Sequence, residues 1–227
     1  MKQIRGIWLP DDDTHFEAHL LKGPEFNSAG TYQYSKILLA LQETPANRRG
    51  LFVDVGAHVG TWSRVMASHF HWVTAFEPMP EVAACWTRNM TGAGIQNADL
   101  WQFAVSHNCD RVDMHYEEGN SGNSGVVPPD QPKAAFDLSF ETIDLDTFDF
   151  GRRIDLLKID VEGWEQRVVA GGLEIIAQDR PTIVVEQKPG HAERYGLTRY
   201  GAVDVLKGLG MRVEWERAGD VCMGWPS

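Results

Sequence analysis

The chain has 227 residues, a formal net charge of −11, 43% hydrophobic and 23% charged residues. Those proportions belong to a globular fold with a sizeable core, and a surface of that sign repels phosphate backbones and anionic lipid, which removes nucleic acid and membrane as default partners. Cys85, Cys109 and Cys222 are too few and too scattered for a disulfide framework or a metal cluster, no apolar run reaches membrane-span length, and residues 1–13 lack a signal-peptide core, so the expected compartment is a reducing cytoplasm.

The elements are expected in the following order. Residues 1–48 carry Trp8, Phe16, Phe26, Tyr32 and Tyr34, then an apolar helix around 37–41. They read as an extension that caps a sheet edge or closes a pocket. Residues 49–227 read as the core of the same single domain. Leu51–Val55 is a strand and 61–70 a helix, with Trp62, Val65, Met66 and Phe70 at helical spacing. Trp72–Phe76 is the next strand. Pro80 opens a helix with Val82, Cys85, Trp86 and Met90 on one face. A strand is expected at 100–105 and an added antiparallel strand at 111–116. Residues 117–133 (EEGNSGNSGVVPPDQPK) form a long loop, either a mobile excursion or a flap with Asn123 and Ser124 as hydrogen-bonding residues. Ile154–Ile159 is a buried strand, 163–170 a helix ended by Gly171-Gly172, 182–185 a strand and 200–209 a helix. The chain then forms a hairpin, 211–216 and 221–225, turning at Ala218-Gly219-Asp220. Alternating βα units with a terminal hairpin specify an α/β fold, Rossmann-like, with a doubly wound and mostly parallel sheet carrying an antiparallel C-terminal hairpin.

In such a sheet, ligands bind beyond the C-terminal ends of the strands. The first strand ends at Asp54, and Asp54-x-Gly56-x-x-x-Gly60 makes a tight turn into the next helix, whose N-terminal amides attract a ligand. The spacing lacks the three-glycine run of a dinucleotide fingerprint and is more typical of S-adenosylmethionine sites. Glu77 ends the second strand, 21 positions beyond Gly56, where a carboxylate accepts hydrogen bonds from two ribose hydroxyls. Ala104 and Val105 end the third and suit an adenine edge. Lys158-Ile159-Asp160-Val161-Glu162-Gly163 ends the fourth, with Lys158 and Asp160 on one face. A lysine in an apolar strand needs a partner, and Asp160 is available. This cluster either positions an acceptor hydroxyl and takes its proton or is a structural salt bridge. Glu186-Gln187-Lys188 ends the fifth, with His191 following, and His58 sits inside the glycine turn. His191 carries an imidazole, a side chain suited to serve as a base, whereas the Asp144, Asp146 and Asp149 run reads as solvent-facing.

Together FVDVGAHVGTWS, AFEP, FAVS, ETIDLDTF, IDLLKIDVEGWEQRVVAGG and PTIVVEQ resemble the FkbM-type methyltransferases, in the family's order, across 51–187. WLPDDDTHF and TYQ are similar to compact members from phages and bacteria. The resemblance implies S-adenosylmethionine as methyl donor and a hydroxyl acceptor on a sugar or other small molecule. It places Asp54, Gly56, Ala57, His58, Gly60 and Glu77 at the cofactor, and Asp160 and Glu162 at the border of the reacting centre; the reading of the strand ends adds Pro78, Ala104, Val105 and Asp160 on the cofactor side and Lys158 and His191 at the reacting centre. It also implies cytoplasmic action, in the host cell for a phage-borne copy, and leaves the oligomeric state open. No separate acceptor domain is evident, so a large acceptor is expected to dock on the open edge. Asp160 or Glu162 is the expected base, with Lys158 orienting and His191 in reserve. A resident metal is not expected, although Mg²⁺ on Asp160, Glu162 and Glu186 stays open. Two rival readings remain: a binding module without catalysis on the same scaffold, and an NAD(P)-dependent oxidoreductase.

Overall fold

The computed structural model describes residues 1–22, 32–132 and 138–226; Phe26 and Lys133 lie outside them. The chain opens with a hairpin absent from the sequence reading, β1 (Lys2–Ile4) and β2 (Ile7–Leu9), turning at Arg5-Gly6 where both residues have positive φ. Helix α1 (Thr14–Lys22), also unexpected, starts from Asp13, whose Oδ1 accepts from the Phe16 amide at 2.7 Å, the N-cap bond that satisfies an orphan helix donor. Helix α2 (Tyr34–Glu43) is the expected apolar helix. It lays Ile37, Ala40 and Leu41 against Phe52 and Val184.

The core follows as β3 (Leu51–Val55), α3 (Thr61–Met66), β4 (Trp72–Phe76), α4 (Pro80–Gly92) and β5 (Ala98–Trp101). Helix α3 is shorter than the expected 61–70. Past Met66 the Ser68 hydroxyl donates to the Val65 carbonyl at 2.7 Å, and the chain continues in turns to Phe70, the usual competition of a serine with helical bonding. The expected strand 100–105 is two strands. β5 ends at Trp101 on the sheet edge, and β6 (Ala104–Val105) leaves to pair with a strand far downstream. With β7 (Arg111–His115), β8 (Gly125–Val126) and β9 (Leu138–Ile143) it makes a second sheet of order β6-β9-β7-β8. The loop at 117–133 thus contains β8 and a 3₁₀ turn at Ser121–Asn123.

The second half runs β10 (Ile154–Ile159), α5 (Glu165–Ala170), α6 (Leu173–Asp179), β11 (Thr182–Glu186), α7 (Gly201–Gly208), β12 (Arg212–Arg217) and β13 (Asp220–Gly224). The glycine pair ends α5 as expected, yet Gly172 also opens α6, which the sequence reading lacked. The central sheet has the order β12-β13-β11-β10-β3-β4-β5. The C-terminal hairpin is added as expected: β13 runs antiparallel to β11 and β12 and sits between them, leaving β12 as the outer strand. Strand alternation divides the core. Leu51, Val53, Leu157, Ile159 and Val185 face α5, α6 and α7, while Phe52 and Leu156 face α2 and α3.

On that second face the apolar character stops near the strand tips. Asp54 and Lys158 are register partners across β3 and β10, buried where a hydrophobic residue would otherwise pack. Two charges at that depth are tolerated only as a bonded set.

Candidate active site

The turn after β3 is strapped to β4. Gly56 and Ala57 both donate their amides to the Phe76 carbonyl at 3.0 Å. Gly56 has φ +74°, and a Cβ there would stand 1.8 Å from the Asp160 carbonyl oxygen, so only glycine lets the tips of β3 and β10 touch. Gly60, φ +87°, meets the Trp86 ring in the same way. Glu77 completes the strap: its Oε2 accepts from the His58 amide and its Oε1 from the Met79 amide, each at 3.0 Å. Burial pushes its carboxyl up to about 7, against the pull of those two amides. Each oxygen keeps a lone pair for a further donor.

Lys158 organises the floor. Its Nζ lies 3.3 Å from Asp54 Oδ1 and 3.5 Å from Asp160 Oδ2, and donates to the Gly56 carbonyl at 3.1 Å. Burial alone would lower its pKa, but Asp160 and Asp54 outweigh it and hold the ammonium above the ordinary lysine range. Asp54 also accepts from Ser63 Oγ at 2.6 Å. For Asp160, burial raises and the lysines Lys158, Lys188 and Lys36 lower; the lysines win, and the carboxyl stays below the usual range.

Past β10 the chain folds sharply back. Glu162 has φ +56°, a left-handed conformation that costs a side-chain-bearing residue roughly 1–2 kcal/mol. Gly163, φ +102°, packs so closely on His191 that a Cβ would lie 2.3 Å from its carbonyl oxygen. Glu165 Oε1 fixes the turn by accepting from the Val161 and Gly163 amides at 3.1 and 2.9 Å. The result aims Glu162 at His191: Oε2 and Nδ1 are 2.8 Å apart. Glu186, at the tip of β11, has Oε1 2.6 Å from Lys188 Nζ and Oε2 3.8 Å from His191 Nδ1. Burial, reinforced by Asp160 and Glu162, pushes Glu186 up to about 10.

These groups surround a cavity of about 360 Å³, an ordinary size for a small-molecule site. Gly56, Ala57, His58, Glu77 and Pro78 line one side, Ala104 and Val105 lie along it, and Lys158, Asp160, Glu162 and His191 line the other. Asp54 and Gly60 are placed differently from the expectation. Asp54 has no exposed surface and Gly60 packs on Trp86, so both stand behind the cavity wall and shape it. The expected Lys158–Asp160 pair is present but shared with Asp54.

The remaining wall comes from the extension and from the loop after β7, the two segments expected to close a pocket, through residues of which the sequence reading named Phe16, Tyr32, Asn123 and Ser124 but not His15, His19 or Ser121. His15, Phe16, His19 and Tyr32 border the cavity from the extension, with Phe16 edge-on to both Tyr32 and His58 at 5.1 Å. The loop after β7 closes over them. His58 Nε2 lies 2.7 Å from Ser121 Oγ, and Ser121 bonds Asp13 Oδ2 through both its amide and its hydroxyl. Burial lowers His58 to about 4, leaving a neutral ring. Asn123 and Ser124 line the cavity, but they also bond within the loop, to the Glu117 carboxylate and amide respectively. A capping acid before Thr14 was the available sequence signal for α1; nothing local connects it to Ser121.

A glycine turn strapped to a carboxylate at the next strand tip, with an acid cluster across the cavity in a sheet of this order, is a Rossmann-like arrangement with its cavity at the strand tips. Residues 54–213 match the methyltransferase FkbM domain, and the chain belongs to that family of S-adenosylmethionine-dependent methyltransferases. The fold is similar to a putative rRNA methylase from Clostridium thermocellum, at 12% identity and TM-score 0.52 over 86% of this chain and 95% of that one. It is also similar to a ribosomal protein L11 methylase from Lactobacillus delbrueckii subsp. bulgaricus, at 12% identity and TM-score 0.51 over 87% and 81%. A methyltransferase FkbM from Methylobacillus flagellatus KT aligns at 17% identity and TM-score 0.48; the match covers 78% of this chain and only 43% of that protein. No curated protein matches the chain. Among the described residues, no helix is long and apolar enough to cross a membrane.

Proposed function

We infer that the protein methylates a hydroxyl oxygen of a sugar or other small-molecule acceptor. The observation that carries this reading is the Glu162–His191 pair, 2.8 Å apart and bordering the cavity opposite the Glu77 strap. An alcohol must lose its proton as the new bond forms, and a carboxylate–imidazole pair beside the cavity supplies a general base within reach.

S-adenosylmethionine, when bound, supplies an electrophilic methyl on a sulfonium. The residues fit it: Glu77 keeps lone pairs for the ribose hydroxyls, Gly56 leaves its backbone bare, and Ala104 and Val105 offer an apolar edge. Lys158 and Asp160 hold the tips of β3 and β10 together, so the two halves of the site keep one separation. Such alignment of acceptor oxygen, methyl and sulfur is the main catalytic demand. Glu162 or His191 would take the proton of the acceptor hydroxyl as that oxygen receives the methyl group supplied by bound S-adenosylmethionine. Residues 1–48 serve as part of the same domain and close the acceptor side through α1. The net charge supports an acceptor other than nucleic acid or membrane, and three free cysteines support a cytoplasmic setting.

The test is turnover with a panel of hydroxyl acceptors and radiolabelled methyl donor, comparing the parent with Asp160→Asn, Glu162→Gln and His191→Asn. A loss of roughly 100-fold or more is expected for at least Glu162→Gln. Near-parental rates in all three would refute the assignment.

A further inference from the structure

The Glu162–Glu186–His191 cluster holds more negative charge and more idle donor atoms than a proton-transfer pair needs. Glu162 Oε2, Glu186 Oε2 and His191 Nδ1 are each buried and lack a hydrogen-bond partner among the described residues. His191 Nδ1 and Glu162 Oε2, although 2.8 Å apart, are out of line for a hydrogen bond. Glu186 is only 2% exposed, and its idle oxygen is aimed at the other two. All three atoms lie within 4.8 Å of one another. Unpaired polar atoms at that depth are costly, and native structures rarely leave three together without a ligand.

The spacing has a further meaning. Donors bound to one cation at about 2.1 Å stand about 3.0 Å apart when adjacent and about 4.2 Å when opposite. The observed separations of 2.8 and 3.8 Å fall near that range. Charge points the same way. Asp220 is paired with Lys36, and Asp54 and Asp160 share Lys158. Glu186 and Glu162 share Lys188, at 2.6 and 3.9 Å. Glu162 and Glu186 are therefore two carboxyl groups facing one ammonium, on the side of the cavity where the idle atoms lie.

We propose that Glu162, Glu186 and His191 bind a divalent first-row cation at the acceptor side of the cavity. Two carboxylates with one imidazole suit Mn²⁺ or Zn²⁺ better than Mg²⁺, which favours an all-oxygen shell. The donor set differs from the Asp160-containing one that the sequence left open, because Asp160 is turned to Lys158. The site rests on the methyl-transfer reading only for its purpose: a cation there would bind the acceptor oxygen and make its proton easy enough to lose to solvent, taking the place of Glu162 and His191 as proton acceptors because it would occupy their donor atoms. An acceptor with two neighbouring oxygens, such as a vicinal diol of a sugar, is the chemistry it fits.

The experiment uses the full chain, without a histidine tag and stripped of metal, titrated with Mn²⁺ alone by calorimetry and by loss of the free-ion electron paramagnetic resonance signal. One equivalent binding with Kd below about 1 mM is expected, weakened at least tenfold in Glu186→Gln and in His191→Asn. His191 is partly exposed on a loop, so that variant keeps the test alive if the Glu186 variant fails to fold. No saturable binding by the parent, or unchanged binding in a folded variant, overturns the site. S-adenosylmethionine is titrated separately; its failure to bind would overturn the methyl-transfer reading and leave the Mn²⁺ result to stand by itself.

Discussion

Replacing Lys158 by methionine removes one charge and keeps most of the packed stem. At an effective dielectric of about 20, contacts of 3.3 Å to Asp54 and 3.5 Å to Asp160 are each worth about 5 kcal/mol in gross attraction. Much of that offsets the cost of burying the ammonium, so the expected net loss is that of breaking a buried pair, about 3–5 kcal/mol. For a chain of this length that lowers Tm by roughly 6–20 °C. The loss has a pH signature. In the parent, Asp160 is held below its unfolded value, so its contribution is present above that value and fades as pH falls. Burial already holds Asp54 above its unfolded value in the parent, against the pull of Lys158; in Lys158→Met that pull is lost from both carboxyls, so the variant recovers stability as pH falls and loses it as pH rises. Thermal unfolding followed by circular dichroism at pH 8 and pH 5 measures both. A deficit under about 1 kcal/mol at pH 8, or one that does not shrink at pH 5, would show that the three groups are not a buried ionic set.

Three further outcomes are expected. Gly56→Ala puts a Cβ 1.8 Å from the Asp160 oxygen at φ +74°, and should cost well over the roughly 1–2 kcal/mol of the left-handed penalty and abolish cofactor binding, whereas Gly92→Ala, with open space at the end of α4, should be neutral or stabilising by up to about 1 kcal/mol; calorimetry and thermal melts compare them. Glu77, raised to about 7, must be ionised to accept fully from two hydroxyls, so affinity for S-adenosylmethionine should rise about tenfold from pH 6 to pH 8 and level off, while Glu77→Gln binds more weakly with a flat profile; a flat parental profile would count against the ribose role. Asp13→Ala loses the α1 cap and both bonds to Ser121, and should speed proteolysis at 117–132 with a stability loss of about 1–3 kcal/mol, read by limited digestion and melts.

Strands β3, β4, β10 and β11 were legible because each is a buried run bounded by turn residues, and such runs need no partner to be recognised. The strand-tip rule then brought Glu77, Lys158, Asp160 and Glu162 to one cavity from sequence alone. What escaped depends on distant pairing. β6 and β8 have two residues each, too few for any period, and exist through β9 and β7. Asp54 read as a ligand residue because it sits at a strand tip. Its burial comes from Lys158 across the sheet and Ser63 on the next helix. The Asp13–Ser121–His58 linkage joins three segments that nothing in their local composition relates.

The insertion of β13 between β11 and β12 also sets an order of events during synthesis. β11 presents an apolar edge, Thr182–Glu186, whose outer partner among the described residues is β13, made later in the chain. At ribosomal rates of about 5–20 residues per second, that edge waits about 2–8 s for Asp220–Gly224. Lys36 waits for the same segment, since its buried partner is Asp220. An unpaired edge of this kind invites strand addition from a neighbouring nascent chain. The five-residue β13 therefore acts as the closure that makes the newborn sheet safe from its own copies.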